Sequence, residues 1–181
     1  MIMHQDLRHL FDDARPIQCP AGKTVFRTGD AVREMFLVRT GSVLLQRHST
    51  LGATLTLANA TEGMILAEAS AYSDAYHCDA IAGEVSLVLV LPKSRFRNAL
   101  AHDATAAEAW ASMLARQVQA ARMRAEIRSL PKVADRLDAW FDAGHGLPEK
   151  GSWQDLAAEL SVTREALYRE LARRRAKNPS A

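Results

Sequence analysis

The spacing of glycine constrains this chain more than any other feature. Gly29, Gly41, Gly52 and Gly63 fall 12, 11 and 11 residues apart, and after residue 100 glycine disappears until Gly144. Turn residues at regular intervals between short β-rich runs indicate an antiparallel sandwich or barrel. TVFRTGD, EMFLVRTGSVLLQRHS, ATLTLANATEGMIL and EVSLVLVLP read as runs of strand with turn signals between them. Ahead of them, Asp6 to Ala14 reads as a short helix with Leu7, Leu10 and Phe11 on one face.

Past residue 100 the chain becomes helical. Ala104 to Ser129 contains neither Pro nor Gly and is rich in strong helix formers. Trp110, Met113, Leu114, Gln117, Val118, Ala121 and Ala125 recur at three- and four-residue steps. That is a narrow apolar stripe of the kind that pairs with another helix, although it could also pack on the chain's own sheet. A helix of this length spans roughly 39 Å at about 1.5 Å per residue and overhangs a small β domain. The expectation is therefore a homodimer, with contacts at Trp110, Leu114, Gln117, Val118, Ala121 and Ala125. Pro131 suits the first turn of a further helix, Pro131 to Ala143, carrying Val133, Leu137, Trp140 and Phe141. The expected organisation is α+β: an antiparallel β jelly roll over residues 1–103, a dimerisation helix over 104–129 and a helical domain over 130–181.

The segment SWQDLAAELSVTREALYRELARRR, Ser152 to Arg175, is the most informative. Ser152 reads as the N-cap of one short helix, Ser161-Val162 as a tight turn, and Thr163 as the cap of a second helix with Ala166, Leu167 and Leu171 turned inward. This pattern matches a helix-turn-helix. Residues opening the second helix of such a pair reach base edges in the major groove. Arg164 could fork onto guanine and Glu165 could accept from the cytosine amino group, while later arginines suit phosphates. The DNA-facing set is Thr163, Arg164, Glu165, Tyr168, Arg169 and Arg173. A helical hairpin with merely solvated charges is the plain alternative.

Composition narrows the remaining classes. The 181 residues are 48% hydrophobic and 24% charged, as in ordinary globular proteins. No apolar run approaches the roughly 20 residues of a membrane-spanning helix, and MIMHQDLRHLFDDARP lacks the parts of a signal peptide. Two cysteines make no disulfide framework, so the expected location is cytoplasmic, with no membrane partner. No Gly-rich nucleotide loop, His-Glu-x-x-His motif or nucleophile elbow appears, so an enzyme is not expected.

Taken in order, these segments resemble the Crp/Fnr superfamily of bacterial transcription regulators over nearly the whole chain. PAGKTVFRTGD and MFLVRTGSVLLQR look like its opening strands, and SVTREALYREL looks like its recognition helix, with Arg164, Glu165 and Arg169 on the positions that read DNA. The resemblance implies a cyclic-nucleotide-binding-like sensor domain, a homodimer, a palindromic double-stranded DNA site and RNA polymerase as a further partner. It also implies a signal that turns the C-terminal part about the Leu130-Pro131 joint.

Two departures stand out. AEASAYSDAYHCDA lies where the family's phosphate-binding cassette lies, which typically begins Gly-Glu and carries an Arg-Ser or Arg-Thr pair further on. Here Ala67 replaces the glycine, Glu68 survives, and His77 and Cys78 stand in for the pair. The effector-pocket set is Glu68, Ala69, Tyr76, His77 and Cys78. Histidine cannot fork onto a phosphate as arginine does, and a thiol is a poor substitute for a hydroxyl donor, so cyclic AMP is expected to bind weakly or not at all. Three readings of His77 and Cys78 stay open. They are a structural pair with Cys78 as a small buried apolar group, a metal or haem site, and a redox switch with a lowered thiol pKa. The second departure is at the end, where KNPSA stands in place of the family's β wing; Arg173 to Arg175 could partly replace its phosphate contacts. A signalling module whose C-terminal hairpin binds protein rather than DNA is the runner-up.

Overall fold

The computed structural model describes residues 5–48 and 54–177; the expected turn at Gly52 lies outside the described residues. The chain divides into two compact units, Met1–Met113 and Leu114–Ala181.

The first unit is a sandwich of two four-stranded antiparallel sheets. One sheet runs β1 (Arg15–Cys19), β8 (Ser86–Pro92), β3 (Glu34–Thr40), β6 (Ile65–Leu66). The other runs β2 (Thr24–Phe26), β7 (Asp79–Ala82), β4 (Val43–His48), β5 (Thr54–Ala60). Phe26, Phe36, Val38, Val43, Leu45, Val88 and Val90 fill the space between the sheets. Gly41 makes the β3–β4 turn with φ +83°, and the backbone of Val85 and Ser86 lies where its Cβ would be. A side chain there would meet both steric and conformational cost.

Two strands were not legible as strands. β1 contains Pro16, which removes a ladder donor, and the structure puts β1 at a sheet edge, where proline is tolerated. β7 is Asp-Ala-Ile-Ala, weak in strand propensity, yet its Ala80 and Ala82 are fully covered because β7 runs between β2 and β4.

Helix α1 (Gln5–Arg8) continues into a 3-10 turn at His9–Phe11, and Leu7 and Phe11 are buried. Helix α2 (Lys93–His102) follows β8 without a loop and was also not anticipated; Phe96 and Leu100, one turn apart, anchor it. Asp103 then separates α2 from α3 (Ala104–Ser129). Its Oδ1 accepts the backbone N–H groups of Thr105 (2.9 Å) and Ala106 (3.0 Å), which is N-capping. Those donors, Ala106 first, hold the Asp103 carboxyl below the usual range.

The apolar stripe on α3 is not uniform in its exposure. Trp110 is buried inside its own chain, its ring edge-on to Phe96 at 5.0 Å and 75°. Its place is the junction of α2 and α3 rather than an outer face. Leu114 and Gln117 are half-buried, while Val118, Ala121 and Ala125 are exposed.

The second unit holds the end of α3 together with α4 (Val133–Asp142), α5 (Trp153–Glu159) and α6 (Arg164–Lys177). Ile127, Leu137, Leu156, Leu160, Leu167 and Leu171 form its core, with Trp153 beside them. α4 begins at Val133 rather than Pro131, because Lys132 is extended (φ −103°, ψ 141°) and acts as its N-cap. Ser152 makes no side-chain capping bond; a 3-10 turn at Lys150–Ser152 leads into α5 instead. Among the described residues no helix is long and apolar enough to cross a membrane.

Candidate nucleic-acid interface and effector loop

α5 and α6 meet through a four-residue connection that the sequence makes tight. Ser161 takes a left-handed conformation (φ +51°), and Val162 N–H donates back to Ala157 C=O at 2.9 Å. Thr163 Oγ1 accepts the Ala166 N–H at 3.2 Å, the cap expected of it. Two arginines satisfy the last carbonyls of α5. Arg128 donates through Nε to Glu159 C=O (2.9 Å), and Arg136 donates through Nη1 to Leu160 and Ser161 C=O (2.9 Å each). Cations at a helix C-terminus also complement its dipole. Arg136 Nε reaches Leu130 C=O at 2.6 Å as well. The Leu130-Pro131 joint is thereby tied to the α5–α6 turn. Neither Arg128 nor Arg136 stood out in the sequence, because their role depends on carbonyls about 24 to 31 residues away.

α6 has two sides. Leu167 and Leu171 are buried in the core, while Thr163, Arg164, Glu165 and Arg169 are exposed at its start and Tyr168 is half-buried. The Glu165 carboxyl is held below the usual range by its own backbone N–H and by the Thr163 hydroxyl, so it is an ionised acceptor at neutral pH. Further along, the arginine run is used by the fold. Arg173 forks onto Glu170 with bonds of 2.8 and 2.7 Å. Arg174 bonds to Glu170 (2.7 Å), Asp138 (2.6 Å) and the Ala134 carbonyl (3.0 Å). These partners, the Arg173 fork first, draw the Glu170 carboxyl down to about 2. Arg173 is therefore paired with a carboxylate, whereas among the described residues Arg164 and Arg169 act on Glu165 only at longer range.

The loop from Ala67 has a different character. Ala67 adopts φ 48°, ψ 48°, the left-handed region where glycine is favoured, and a 3-10 turn follows over Glu68–Tyr72. Glu68 is half-buried and Ala69 exposed. Tyr76 is turned into the core: its hydroxyl donates to Glu34 C=O at 2.5 Å and its ring stacks on Phe26 at 3.9 Å and 15°. Burial pushes the Tyr76 phenol up to about 12. With Phe26, Phe36, Asp30, Arg33 and Glu34 it borders a cleft of about 360 Å³.

His77 and Cys78 lie in a bend just before β7 and differ in exposure. His77 is exposed, its Nε2 3.1 Å from Ser73 Oγ; Cys78 is buried. Burial pushes the Cys78 thiol up, against the pull of Arg47, which is the reverse of what a redox switch needs. Cys19 is also buried and raised, chiefly by desolvation. Among the described residues no three His, Cys, Asp or Glu side chains gather as a metal site would require.

One residue near this loop was missed. Gln46 pairs with Asp79 at the end of the β4–β7 ladder, and the next residue, Arg47, donates through Nε to His77 C=O at 3.2 Å. The signal was available: Val43 and Leu45 alternate as core residues, and Arg47 is a charge at the next position of that face.

With this geometry in place, the comparisons are consistent. Residues 16–103 match the family model of the cyclic nucleotide-binding domain. No curated protein matches the sequence. Among solved structures, the catabolite activator protein of Thermus thermophilus is similar with a TM-score of 0.58 at 24% identity, over 98% of this chain and 85% of that one. CLP of Xanthomonas campestris, described as a c-di-GMP responsive global regulator, gives 0.66 at 19% identity, over 97% and 93%. FixK2 of Bradyrhizobium japonicum gives 0.66 at 16% identity, over 91% and 85%. At such identities the likeness speaks for the fold. This chain carries a β-sandwich that matches the cyclic nucleotide-binding domain, followed by helices.

Proposed function

We propose that this chain is a homodimeric, DNA-binding transcription regulator of the Crp/Fnr type, acting in the cytoplasm and answering a signal other than cyclic AMP. The observation that carries the reading is the two-sided α6. Leu167 and Leu171 hold it in the core while Arg164, Glu165 and Arg169 stand free at its start. α5 and α6 then act as a helix-turn-helix with α6 as recognition helix, and the exposed middle of α3, Val118 to Ala125, pairs with its counterpart in a second copy. Dimer symmetry sets two such helices about one DNA turn apart on a palindromic site. Thr163 lies at the DNA surface beside them. RNA polymerase is the expected further partner, and no catalytic step is assigned. The domain reading becomes a sensor over 1–103, a pairing helix over 104–129 and a reading domain over 130–181.

Selection from random duplexes followed by a salt series tests this. Affinity should fall steeply with salt, and Arg164→Ala and Arg169→Ala should each cost about 1–3 kcal/mol of specific binding. Failure to bind any duplex would favour the protein-interaction module instead. For the sensor, the reading keeps Glu68, Ala69, Tyr76, His77 and Cys78 as the effector set, of which Tyr76 borders the cleft described above. Titration with cyclic AMP should show weak binding or none, because no cassette residue offers a fork to a phosphate. Cyclic di-GMP belongs in the same titration, since the Xanthomonas campestris protein of like fold is described as responsive to it.

A further inference from the structure

The start of α6 carries an ordered stack of rings and cations. Trp153 opens α5, and its Nε1 donates to Pro148 C=O at 2.9 Å, which fixes the plane of the indole. The Tyr168 ring meets it edge-on at 5.0 Å and 71°. The Arg164 guanidinium lies 5.2 Å over the Tyr168 ring, and the Arg175 guanidinium 5.1 Å over Trp153. Two rings are thus held between two cations. Arg164 and Tyr168 are four residues apart on one helix, the spacing at which side chains become neighbours.

We infer that Tyr168 is a positioning residue for Arg164, a shelf that fixes the guanidinium before any partner arrives. This rests on the DNA-binding reading above. A free arginine samples many rotamers, and binding must remove that freedom; a planar cation already stacked on a ring has lost part of it. Arg169, exposed on the same helix, has no ring beneath it among the described contacts. A pre-aimed arginine that forks onto a base edge selects guanine through O6 and N7. Tyr168, expected from sequence as a DNA contact, acts through its neighbour instead.

The test compares Tyr168→Phe, Tyr168→Leu, Tyr168→Met and Arg164→Lys with the wild type, on the selected duplex and on a scrambled one. Tyr168→Phe keeps the ring and should bind within about twofold of wild type. Tyr168→Leu should weaken specific binding by about three- to tenfold, leaving scrambled-duplex affinity and the salt slope unchanged. The loss should fall on the base pair that Arg164→Ala also relaxes, and combining Tyr168→Leu with Arg164→Ala should add nothing. Arg164→Lys keeps the charge but removes the fork, so it should lose selectivity and tests whether Arg164 is the selecting side chain; Tyr168→Met, a flexible side chain of similar reach without a ring, tests the shelf even if the leucine variant fails to fold. The methionine variant should lose selectivity as the leucine variant does. Equal losses on both duplexes, additivity with Arg164→Ala, or wild-type selectivity in Arg164→Lys or Tyr168→Met would each overturn the assignment. Loss of binding in Tyr168→Phe would make the hydroxyl a direct contact instead. If the wild type selects no duplex, the DNA-binding reading falls and the shelf with it; if only the variants behave like wild type, the shelf alone falls.

Discussion

α6 and the Ala67–Cys78 loop are both rich in polar side chains, and they use them in opposite directions. On α6 the side chains that matter stand outward at its first turns, while the inward face is plain leucine. In the loop the polar groups turn back: Tyr76 into a backbone carbonyl, Cys78 into the core, His77 onto Ser73. A surface that keeps its charges free is set up for something outside the chain. A loop that spends its polar groups internally retains its shape with fewer groups left for a ligand. Within α6 the same contrast recurs, since among the described residues Arg164 and Arg169 make no ion pair whereas Arg173 and Arg174 are bound to Glu170.

That contrast can be broken at several points. The largest effect should come from the inward face of α6: Leu167→Ala should cost about 2–5 kcal/mol in denaturant unfolding, because Leu167 is fully buried in a small core. Glu170 marks the boundary between free and bound arginines. Its folded pKa is depressed from 4.5 to about 2, so its contribution is present above pH 4.5 and is lost as pH falls through about 2. Unfolding measured across that window should show a loss on the order of 1–2 kcal/mol after allowing for solvent screening, and Glu170→Gln should flatten it. An unchanged slope in that variant would mean that Arg173 is freer than its geometry indicates. The smallest effect belongs to the loop. Ala67→Gly should raise stability by about 0.5–1 kcal/mol by relieving the left-handed alanine, less what its buried methyl group contributes.

Much of the fold was legible where one physical signal dominated. The long helix was read as Ala104 to Ser129, and the structure gives the same bounds, because helix formers run uninterrupted up to Leu130-Pro131. Thr163 was read as a cap and makes that bond. What escaped depended on distant neighbours. β7 is a strand because β2 and β4 flank it, not because Asp-Ala-Ile-Ala favours one. Trp110 matched the apolar stripe by spacing, but the unforeseen α2 brings Phe96 against it. Ser152 had the right chemistry for a cap, yet the preceding 3-10 turn takes over the entry to α5. Around the effector loop the reading of Cys78 as a small buried apolar group agrees with its burial, whereas the inward turn of Tyr76 depends on Phe26 and Glu34, which its own sequence neighbourhood does not reveal.

The arginine staple at the end of α3 sets how motion can pass through the second unit. Ile127 shares a core with Leu160 and Leu167, Arg128 holds the last turn of α5, and Arg136 clamps Leu130 to Ser161. There is little slack between the last turns of α3 and the first turn of α6. A twist applied to α3 within this unit would have these bonds as its route to Arg164, as a crankshaft passes torque through a keyed joint. Cutting the key, with Arg136→Ala, would let the shaft turn while the blade stays still.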